Sequence, residues 1–408
     1  MTRPRHNNAG LEFILLTNIP APYRVPAWNC LSQLAPGRLK VLFLTASDPR
    51  RTSFAPVGEM AFPWQLLARG PNRWMTGAVA ASRTIVELAR SRPQAVICGG
   101  YDSLAAWVCF LWCKIFQRRF VLWLESTARD ARKPGRVKNW LKKLMVSHAD
   151  GIAAAGRATV AYVKGLGATD GQIFLAPLSA DNQFFARQAA EIHREQAKHE
   201  KGYPGLLILY AGRLVREKGV FILLEAFAHI LTELPDAGLL IAGHGPEQEK
   251  MKDFCRRAKL RHVYFLGARQ YHEMPSVYAL ADVLALPTFS DPWGMVVNEA
   301  FACGVPAVVS SVAGSCDDLI IDGKTGFAVR AGDPIELADR ILQILRDPTL
   351  RARLSANCRF LIQKYSPQAC AQGLLEAALQ GRLRPQSRRS EIAASSPEEC
   401  RPEVSCGV

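Results

Sequence analysis

The stretch VLALPTFSDPWGMVVNEAFACGVPAVVSS, residues 283–311, contains the unit that decides the fold. Its two ends are short apolar runs of the kind found in strands that are buried on both faces. Between them, residues 295–303 are predicted to form a helix, so that strand, helix and strand follow one another as in a parallel sheet. This apolar unit keeps two carboxylates, Asp291 and Glu299, with Gly294 between them. A carboxylate among apolar side chains is costly unless it is paired or binds something, so the unit is either a ligand site or a core helix with an acid in its first turn.

The same alternation of short apolar runs and helical stretches extends over the whole chain. The predicted strands are 11–17, 39–44, 95–98, 120–125, 151–155 and 173–176 in the first half, and 206–212, 238–243, 263–267, 283–287 and 306–311 in the second. Continuous Val, Ile and Leu runs separated by helices predict an α/β fold of two doubly wound, Rossmann-like domains. In such domains, ligands bind in the loops beyond the carboxyl ends of the strands.

The chain is expected to divide at a polar, helix-prone stretch near its middle. We predict an N-terminal domain over 10–189, a hinge over 190–205 and a C-terminal domain over 206–381, whose final helices return to the first domain. The last segment, 382–408, combines Pro, Ser and charge without periodicity and is predicted to be disordered.

The composition is that of a globular protein with an anionic partner. Of the 408 residues, 49% are apolar and 21% are charged, and the net charge is +15. This excess of positive charge favours nucleic acid, an acidic membrane or phosphorylated small molecules as partners. The 11 cysteines show no CxxC pair and no spacing typical of a metal site. No segment has the length of a membrane span. We therefore expect a cytoplasmic protein without a metal, which can also be peripheral at the inner face of a membrane.

Two loops that follow strands of the second half carry candidate phosphate ligands. Arg213 and Lys218 flank the start of a helix after strand 206–212. Cations there are repelled by the positive end of the helix dipole, and a bound anion would offset this repulsion. Two solvated surface cations are the alternative. In the next such loop, Gly243 and Gly245 allow a tight turn and the close approach of a ligand, although many α/β turns look the same.

The loop of the opening stretch completes this set. Gly294 and Met295 lie where the backbone amides of the predicted helix begin. Asp291 is expected at the cleft, and Glu299, about one and a half turns into the helix, can reach the same cleft. Carboxylates accept hydrogen bonds from ribose and sugar hydroxyl groups without a metal ion. Phosphate-binding cations beside such carboxylates describe a site for a nucleotide-sugar.

Three pieces of the second half resemble the retaining GT-B glycosyltransferases of family 4, the glycosyl transferases group 1 proteins. They are AGRLVREKGV (211–220), IAGHGPEQEKM (241–251) and DPWGMVVNEAFACGVPAVVSSVAGSCDDLIIDGKTGFAV (291–329), and both their order and their spacing fit. The resemblance implies a GT-B fold, in which two Rossmann-like domains face a cleft, with the donor in the second domain and the acceptor in the first. It also implies a retaining reaction that needs no metal ion and no cofactor, because the nucleotide-sugar donor is a substrate.

The resemblance further implies roles for single residues. Arg213 and Lys218 would hold the donor diphosphate and stabilise it as it leaves, and Glu299 would bind the ribose. Asp291 stands where the family usually has the first glutamate of its E-x7-E motif, which contacts the transferred sugar. The shorter side chain of aspartate is a departure from the motif, and it leaves the identity of the sugar open.

The first half resembles the family in architecture only. Where the family often has a Gly-Gly loop after its first strand, this chain has TNIPAPYRVPAWN (17–29), whose prolines offer no amide hydrogen. Arg24 is predicted to bind the donor by supplying the positive charge that is missing near its phosphate, or else to be a surface arginine. Similar proteins often place a histidine after the strand 120–125, where this chain has Glu125. Glu125 is predicted to bind hydroxyl groups of the sugar or the acceptor, or else to pair with Arg129.

The basic segment RDARKPGRVKNWLKKLMVSH, residues 129–148, has seven Lys and Arg residues against one Asp. The residues predicted to form one apolar helical face are Val137, Trp140, Leu141, Leu144 and Met145. This pattern predicts an interfacial helix over 136–147 on an anionic membrane surface, which a lipid-linked acceptor would explain. An ordinary domain helix with a solvated basic face is the alternative.

These observations favour a retaining hexosyltransferase that uses a nucleotide-diphosphate sugar and a saccharide or lipid-linked saccharide acceptor in the synthesis of cell-surface polysaccharide or glycoconjugates. A GT-B nucleotide-sugar epimerase is an alternative that needs no acceptor. A basic nucleic-acid-binding protein is a weaker alternative, because the cations cluster at helix starts and on one helix without interleaved aromatic residues. We therefore expect no nucleic-acid partner.

Overall fold

The computed structural model of the chain describes residues 12–46, 60–68, 73–129 and 135–379. Within these ranges the protein has two parallel sheets flanked by helices, which confirms the predicted α/β class with two Rossmann-like domains. The predicted disordered tail, 382–408, lies outside the described residues, as do the outermost residues of the predicted domains.

The first sheet has seven parallel strands in the order β3-β2-β1-β4-β5-β6-β7. The strands are β1 (Phe13–Thr17), β2 (Leu39–Phe43), β3 (Trp64–Leu66), β4 (Ala95–Gly99), β5 (Arg119–Leu124), β6 (Gly151–Ala154) and β7 (Ile173–Leu175). The helices between them are α1 (Val25–Leu34), α2 (Arg73–Ser91), α3 (Leu104–Ile115), α4 (Arg136–Ser147) and α5 (Arg157–Gly165). The sequence did not predict β3, because it is a short edge strand with only half-buried or exposed side chains.

The second sheet has six parallel strands in the order β10-β9-β8-β11-β12-β13. The strands are β8 (Leu207–Ala211), β9 (Gly238–Ala242), β10 (Val263–Gly267), β11 (Val283–Leu286), β12 (Ala307–Ser310) and β13 (Gly326–Val329). The helices are α6 (Asn182–Ala190), α7 (Arg194–Glu200), α8 (Val220–Glu233), α9 (Gln248–Arg257), α10 (Met274–Leu280), α11 (Met295–Ala302), α12 (Cys316–Leu319), α13 (Pro334–Arg346), α14 (Pro348–Ile362) and α15 (Pro367–Leu379). The edge strand β13 was also not predicted.

The helices of the first domain form two layers, one on each face of its sheet. Leu88 of α2, Phe110 of α3, Met145 of α4 and Val163 of α5 are buried in one apolar cluster, so these four helices share a face. On the opposite face, α1 packs against α15, and Trp28 of α1 is fully buried. The outer sides of α2, α3 and α4 therefore belong to one surface of the protein.

The last helix of the chain packs on the first sheet. α15 contacts α1, β6 and β7. Arg119, at the start of β5, donates a 2.8 Å hydrogen bond from Nε to the carbonyl oxygen of Ala377. A Cβ at Gly373 would lie 1.9 Å from the carbonyl oxygen of Leu175, so the helix and strand backbones touch. The chain therefore crosses between the domains twice.

The two crossings lie side by side. α6 already packs on α10 and α11, so the first crossing lies between β7 and α6, earlier than the predicted hinge over 190–205. The second crossing lies between α14 and α15. The side chain of Asn182 joins the two, because its Nδ2 donates hydrogen bonds to the carbonyl oxygens of Ile362 at 2.8 Å and Tyr365 at 3.2 Å.

The predicted hinge segment contains α7, and ion pairs attach this helix to the second domain. Asp282 is buried just before β11 and accepts hydrogen bonds from Lys198 Nζ at 3.4 Å and from Leu207 N at 2.8 Å. Its other carboxylate oxygen lies 2.5 Å from Arg194 Nη2 and 3.3 Å from Arg351 Nε. Burial lowers the pKa of Lys198, and the charge of Asp282 opposes this effect. Asp282 is thus the buried carboxylate that pairs with Lys198, Arg194 and Arg351.

We expect Asp282→Asn to destabilise the protein by about 3–5 kcal/mol, because a buried cation would lose its charged partner. Urea unfolding followed by circular dichroism measures this loss. Asp236→Asn, at an exposed turn before β9, is the matched control and should unfold like the parent. Adding Lys198→Met to Asp282→Asn should recover part of the lost stability. If Asp282→Asn unfolds at the same urea concentration as the parent, the ion pair does not hold α7 in place.

Candidate active-site cleft

Three loops at the carboxyl edge of the second sheet are hydrogen-bonded into one backbone unit. They follow β8, β9 and β11. Leu214 N donates a hydrogen bond to the carbonyl oxygen of His244 at 3.0 Å, which joins the first loop to the second. Phe289 N donates to the carbonyl oxygen of Glu217 at 2.9 Å, which joins the third loop to the first. The residues that the sequence suggested loop by loop therefore lie on a single rim.

Gly243 and Gly245 allow this close approach of backbones. A Cβ at Gly243 would lie 1.8 Å from the carbonyl oxygen of Gly212, and a Cβ at Gly245 would lie 2.3 Å from that of Leu214. Any other residue would push the loops apart. The structure thus explains both glycines by contact between loops, and their predicted contact with the donor stays a prediction.

Lys218 and Asp291 form an ion pair at the centre of the rim. Lys218 Nζ lies 2.7 Å from Asp291 Oδ2 and also donates a 2.9 Å hydrogen bond to the carbonyl oxygen of Ser290. Both side chains are mostly buried, with 12% and 19% of their areas exposed. The second carboxylate oxygen, Oδ1, accepts a 3.2 Å hydrogen bond from Trp293 N. The carboxylate and the carbonyl oxygen therefore hold the ammonium group of Lys218 in one position at the cleft.

Arg213 adds positive charge beside this pair. Tyr210 lies close to both Arg213 and Asp291. Its hydroxyl donates a 2.8 Å hydrogen bond to the carbonyl oxygen of Arg213, and both charges act on its pKa. Burial raises the pKa of Tyr210 well above its usual range, Asp291 raises it further, and Arg213 opposes the rise. The guanidinium of Arg213 is exposed and has no ion pair with the described residues. Two cations and one carboxylate leave a net positive charge, which suits an anion such as a diphosphate.

Glu299 lies buried in α11 on the same edge of the sheet. Its Oε2 accepts a 2.7 Å hydrogen bond from the hydroxyl of Tyr278 in α10. Burial raises the pKa of Glu299 to about 7, and the hydrogen bond from Tyr278 opposes this rise. The helix begins after Gly294, which has a φ of 95° that favours glycine. Half-buried Met295 is the first helical residue, so its amide belongs to the free N-terminal turn.

In the first domain, Arg24 and Glu125 form an ion pair at the carboxyl edge of the sheet. The guanidinium of Arg24 lies 4.7 Å from the ring centre of Trp123 and donates a 3.3 Å hydrogen bond from Nη1 to Thr17 Oγ1. Arg24 is therefore anchored by β1 and β5 and is not a free surface arginine.

The alternative pairing of Glu125 with Arg129 is wrong. Arg129 Nη1 donates 2.9 Å hydrogen bonds to Asp317 Oδ1 and to the carbonyl oxygen of Ser311, both in the second domain. Residues 125–129 after β5 form no helix and end in a turn at 128–129, whereas a pair one helical turn apart would need a helix there.

Further residues at the cleft were not singled out from the sequence. Arg157 N donates a 2.9 Å hydrogen bond to Asp318 Oδ2, which joins the start of α5 to α12. Burial raises the pKa of Asp318 to about 6. A Cβ at Gly156 would lie 2.5 Å from the Trp293 ring, so this indole also lies against the first domain. The signal available in the sequence was the pair Asp317–Asp318, which lies within the stretch that carries the family resemblance.

The predicted apolar face of the basic helix is largely used within the fold. Met145 is buried, and Leu141 and Leu144 are half-buried, while Val137 and Trp140 remain exposed. The predicted five-residue membrane face of α4 therefore shrinks to its first turn.

Two lysines of the same helix have partners within the domain. Lys138 Nζ lies 2.9 Å from Asp102 Oδ1, and Lys142 Nζ lies 4.7 Å from the ring centre of Tyr101. Residues 130–134 of the basic segment lie outside the described residues.

No described helix combines the length and the apolar composition needed to cross a membrane. In the same ranges, no group of three or more His, Cys, Asp or Glu residues is placed to hold a metal ion.

The arrangement of the two domains matches that of solved glycosyltransferases. Anabaena HepE in complex with UDP superposes with a TM-score of 0.73 at 18% identity, covering 90% of this chain and 99% of HepE. Sucrose-phosphate synthase from Thermosynechococcus elongatus superposes with a TM-score of 0.72 at 20% identity, covering 90% and 98%. The fold is therefore GT-B, as expected from the sequence.

The second half of the chain also matches a sequence family. Residues 191–380 match the family described as Glycosyl transferases group 1. A D-inositol 3-phosphate glycosyltransferase of Corynebacterium jeikeium is 31% identical over 222 residues, which cover 52% of this chain and 52% of the relative. The chain spans about half the length of the curated relatives that it matches.

Glu299→Gln should remove a pH-dependent cost of folding. Glu299 ionises in the unfolded chain above pH 4.5 but in the folded protein only above about pH 7, so its contribution to stability falls as the pH rises between these values. The unfolding free energy of Glu299→Gln relative to the parent should therefore rise over this interval, by on the order of 3 kcal/mol, and level off above it. Urea unfolding across this pH range measures the difference.

Glu225→Gln, at an exposed position of α8, is the control and should follow the parent at every pH. If Glu299→Gln and the parent show parallel profiles, Glu299 titrates like an exposed carboxyl and its buried environment has been misjudged.

Proposed function

We propose that the chain is a retaining, metal-independent glycosyltransferase of family 4. It would move a hexose from a nucleotide-diphosphate sugar to a saccharide or lipid-linked saccharide acceptor, in the synthesis of cell-surface polysaccharide or glycoconjugates. The observation that carries this proposal is the cluster of Arg213, Lys218 and Asp291 on the rim of the domain that matches glycosyl transferases group 1. The HepE structures with UDP and with UDP-glucose support a nucleotide-sugar as the donor.

In this proposal the two cations bind the diphosphate and stabilise its departure. Negative charge grows on the diphosphate as its bond to the anomeric carbon breaks, and preorganised cations stabilise the transition state more than the ground state. Lys218 is already fixed by Asp291, and exposed Arg213 can take two phosphate oxygens side by side. The amide of Met295, exposed by the turn at Gly294, adds a donor at the start of α11.

The carboxylates of the second domain bind hydroxyl groups of the donor. Glu299 accepts hydrogen bonds from the ribose when it is ionised. Asp291 shares Oδ2 with Lys218 and offers Oδ1 to the transferred sugar, so that sugar binding and the position of the lysine are linked. Gly243 and Gly245 contribute a rim that backbone or ligand atoms can approach closely.

The ion pair of the first domain faces the reaction from the acceptor side. Arg24 orients Glu125 through their contact, and its guanidinium lies over Trp123. Glu125 then accepts hydrogen bonds from hydroxyl groups of the transferred sugar or of the acceptor. We assign both residues to binding and orientation at the reacting centre.

The decisive experiment incubates the purified protein with a panel of nucleotide-sugars and saccharide acceptors, with and without EDTA. The expected result is a new glycoside whose anomeric configuration, read by NMR, equals that of the donor, at an unchanged rate in EDTA. An inverted product would refute the retaining mechanism, and loss of activity in EDTA would refute metal independence. A changed sugar that stays attached to the nucleotide would identify an epimerase instead.

We expect Arg213→Gln to lower kcat by about 100-fold, because it removes a charge that opposes the one developing on the leaving group. Arg216→Gln, three residues later in the same loop, is a matched control: Arg216 is exposed and lies 3.7 Å from Glu247. It should change kcat by less than about twofold. Steady-state kinetics with the best donor measures both. Equal losses in the two variants would mean that only the general charge of the loop matters.

Glu125→Gln should lower the efficiency with which the acceptor is used and should leave the binding of the donor nucleotide unchanged. We expect kcat/KM for the acceptor to fall by about tenfold or more, since a charged hydrogen-bond acceptor is replaced by a neutral amide. The Kd of the donor nucleotide, from calorimetry, should remain that of the parent. Arg24→Lys keeps the charge but loses the planar contact with Trp123. Its kcat/KM for the acceptor should lie between those of the parent and of Glu125→Gln. A raised nucleotide Kd in Glu125→Gln would contradict its place on the acceptor side.

A further inference from the structure

α3 is apolar on both of its faces. Its inner face, which packs on the sheet, consists of Ala105, Ala106, Cys109, Phe110 and Cys113, all buried. Its outer stripe consists of Leu104, Leu111 and Ile115, and Phe116 follows the last turn. Half-buried Trp107 and Val108 lie between the two faces and pack partly on the core. Apart from Lys114 in its last turn, the helix is apolar on both faces, and such a helix is normally enclosed by protein or by lipid.

The outer stripe of α3 is open within the described part of the chain. Leu104 and Leu111 are each 54% exposed, Ile115 is 72% exposed and Phe116 is 57% exposed. Single exposed apolar residues are ordinary on protein surfaces, but a continuous stripe along a helix marks an interaction site. With 12 residues, the helix is too short to cross a bilayer, so the stripe suits a surface that lies along the helix.

The neighbouring helices extend this surface. α2 packs beside α3 and exposes Ile85 and Val86. The first turn of α4 exposes Val137 and Trp140, and the ion pair of Lys138 with Asp102 attaches that turn to the start of α3. Because α2, α3 and α4 form one layer, these side chains point away from the same face of the sheet.

The charge around the stripe identifies the partner. Neither α3 nor α4 contains an acidic residue. Arg118, Arg136 and Lys143 are exposed around the stripe, and none of them has an ion pair with a described carboxylate. Apolar and aromatic side chains flanked by unpaired cations are the combination that binds anionic phospholipid, where the cations meet headgroups and the apolar groups enter the acyl boundary.

We infer that the outer stripe of α3, with the first turn of α4, lies in the interface of an anionic phospholipid bilayer. The contact is made by the helix that follows β4, and the basic face of α4 assists it. α3 starts next to the carboxyl edge of the first sheet, the edge that carries Arg24 and Glu125. The inference rests on the proposed function in one respect only: a bilayer at this edge would present a lipid-linked acceptor to the cleft.

The inference is tested by co-sedimentation of the full chain with vesicles of phosphatidylcholine and phosphatidylglycerol, without any donor. The double variant Ile115→Gln, Phe116→Gln should bind at least about tenfold more weakly than the parent. The matched control, Ile335→Gln, Phe360→Gln, changes the same two residue types at exposed positions of the second domain and should bind like the parent. Vesicles of phosphatidylcholine alone should bind the parent more weakly than the anionic vesicles.

Three outcomes would overturn the inference. One is that the α3 variant binds anionic vesicles as well as the parent. Another is that both double variants lose binding equally. The third is that the parent is a dimer in buffer and the α3 variant a monomer, since the stripe would then be an interface between two copies. Circular dichroism melting shows that the variants are folded. Glycosyl transfer is measured separately with a short water-soluble acceptor, so failure of the proposed reaction leaves the vesicle result readable.

Discussion

The contact between loop backbones at the carboxyl edge of the second sheet is the constraint on which the candidate site depends. Since a Cβ at Gly243 would lie 1.8 Å from the carbonyl oxygen of Gly212, the backbones of the two loops are in direct contact. This contact positions the backbone of the loop that carries Arg213 and Lys218. The 2.7 Å ion pair with Asp291 then fixes the side chain of the lysine. Cations placed by rigid loops lose little conformational freedom when an anion binds, which is the physical advantage of this arrangement.

The same region holds charge at a cost to the fold. Glu299 has its pKa raised to about 7 by burial, and Tyr278 provides its hydrogen bond. A buried carboxyl that is poorly solvated when ionised lowers stability, so nothing in the packing of α11 favours it over a neutral residue. Under the proposed function, ribose hydroxyl groups would add donors to this carboxylate and restore the ionised form. Under the same proposal, binding of the donor would offset part of the cost of ionising the buried Glu299.

The sequence predicted the parts of the structure that obey local rules. The continuous apolar strands, and the residues just beyond β8, β9 and β11, follow from the pattern of parallel sheets. The edge strands β3 and β13 were missed because periodicity is weak in short strands. The exposed stripe of α3 was also missed, because an apolar helix looks the same whether a face is buried or open. The contacts of Arg129 with Asp317 and Ser311 join residues far apart in sequence, and only the folded chain brings them together.

The double passage of the chain between the domains has a mechanical consequence. A single connection acts like a ball joint, about which one body can swing and twist in any direction. Here two connections leave the first domain at neighbouring points, and Asn182 bonds the first to the carbonyl oxygens of Ile362 and Tyr365 in the second. Two adjacent connections define an axis, and the relative motion of the domains that costs least free energy is a hinge rotation about that axis. Such a rotation changes the distance between the two domains on the far side of the cleft and leaves the paired crossings in place.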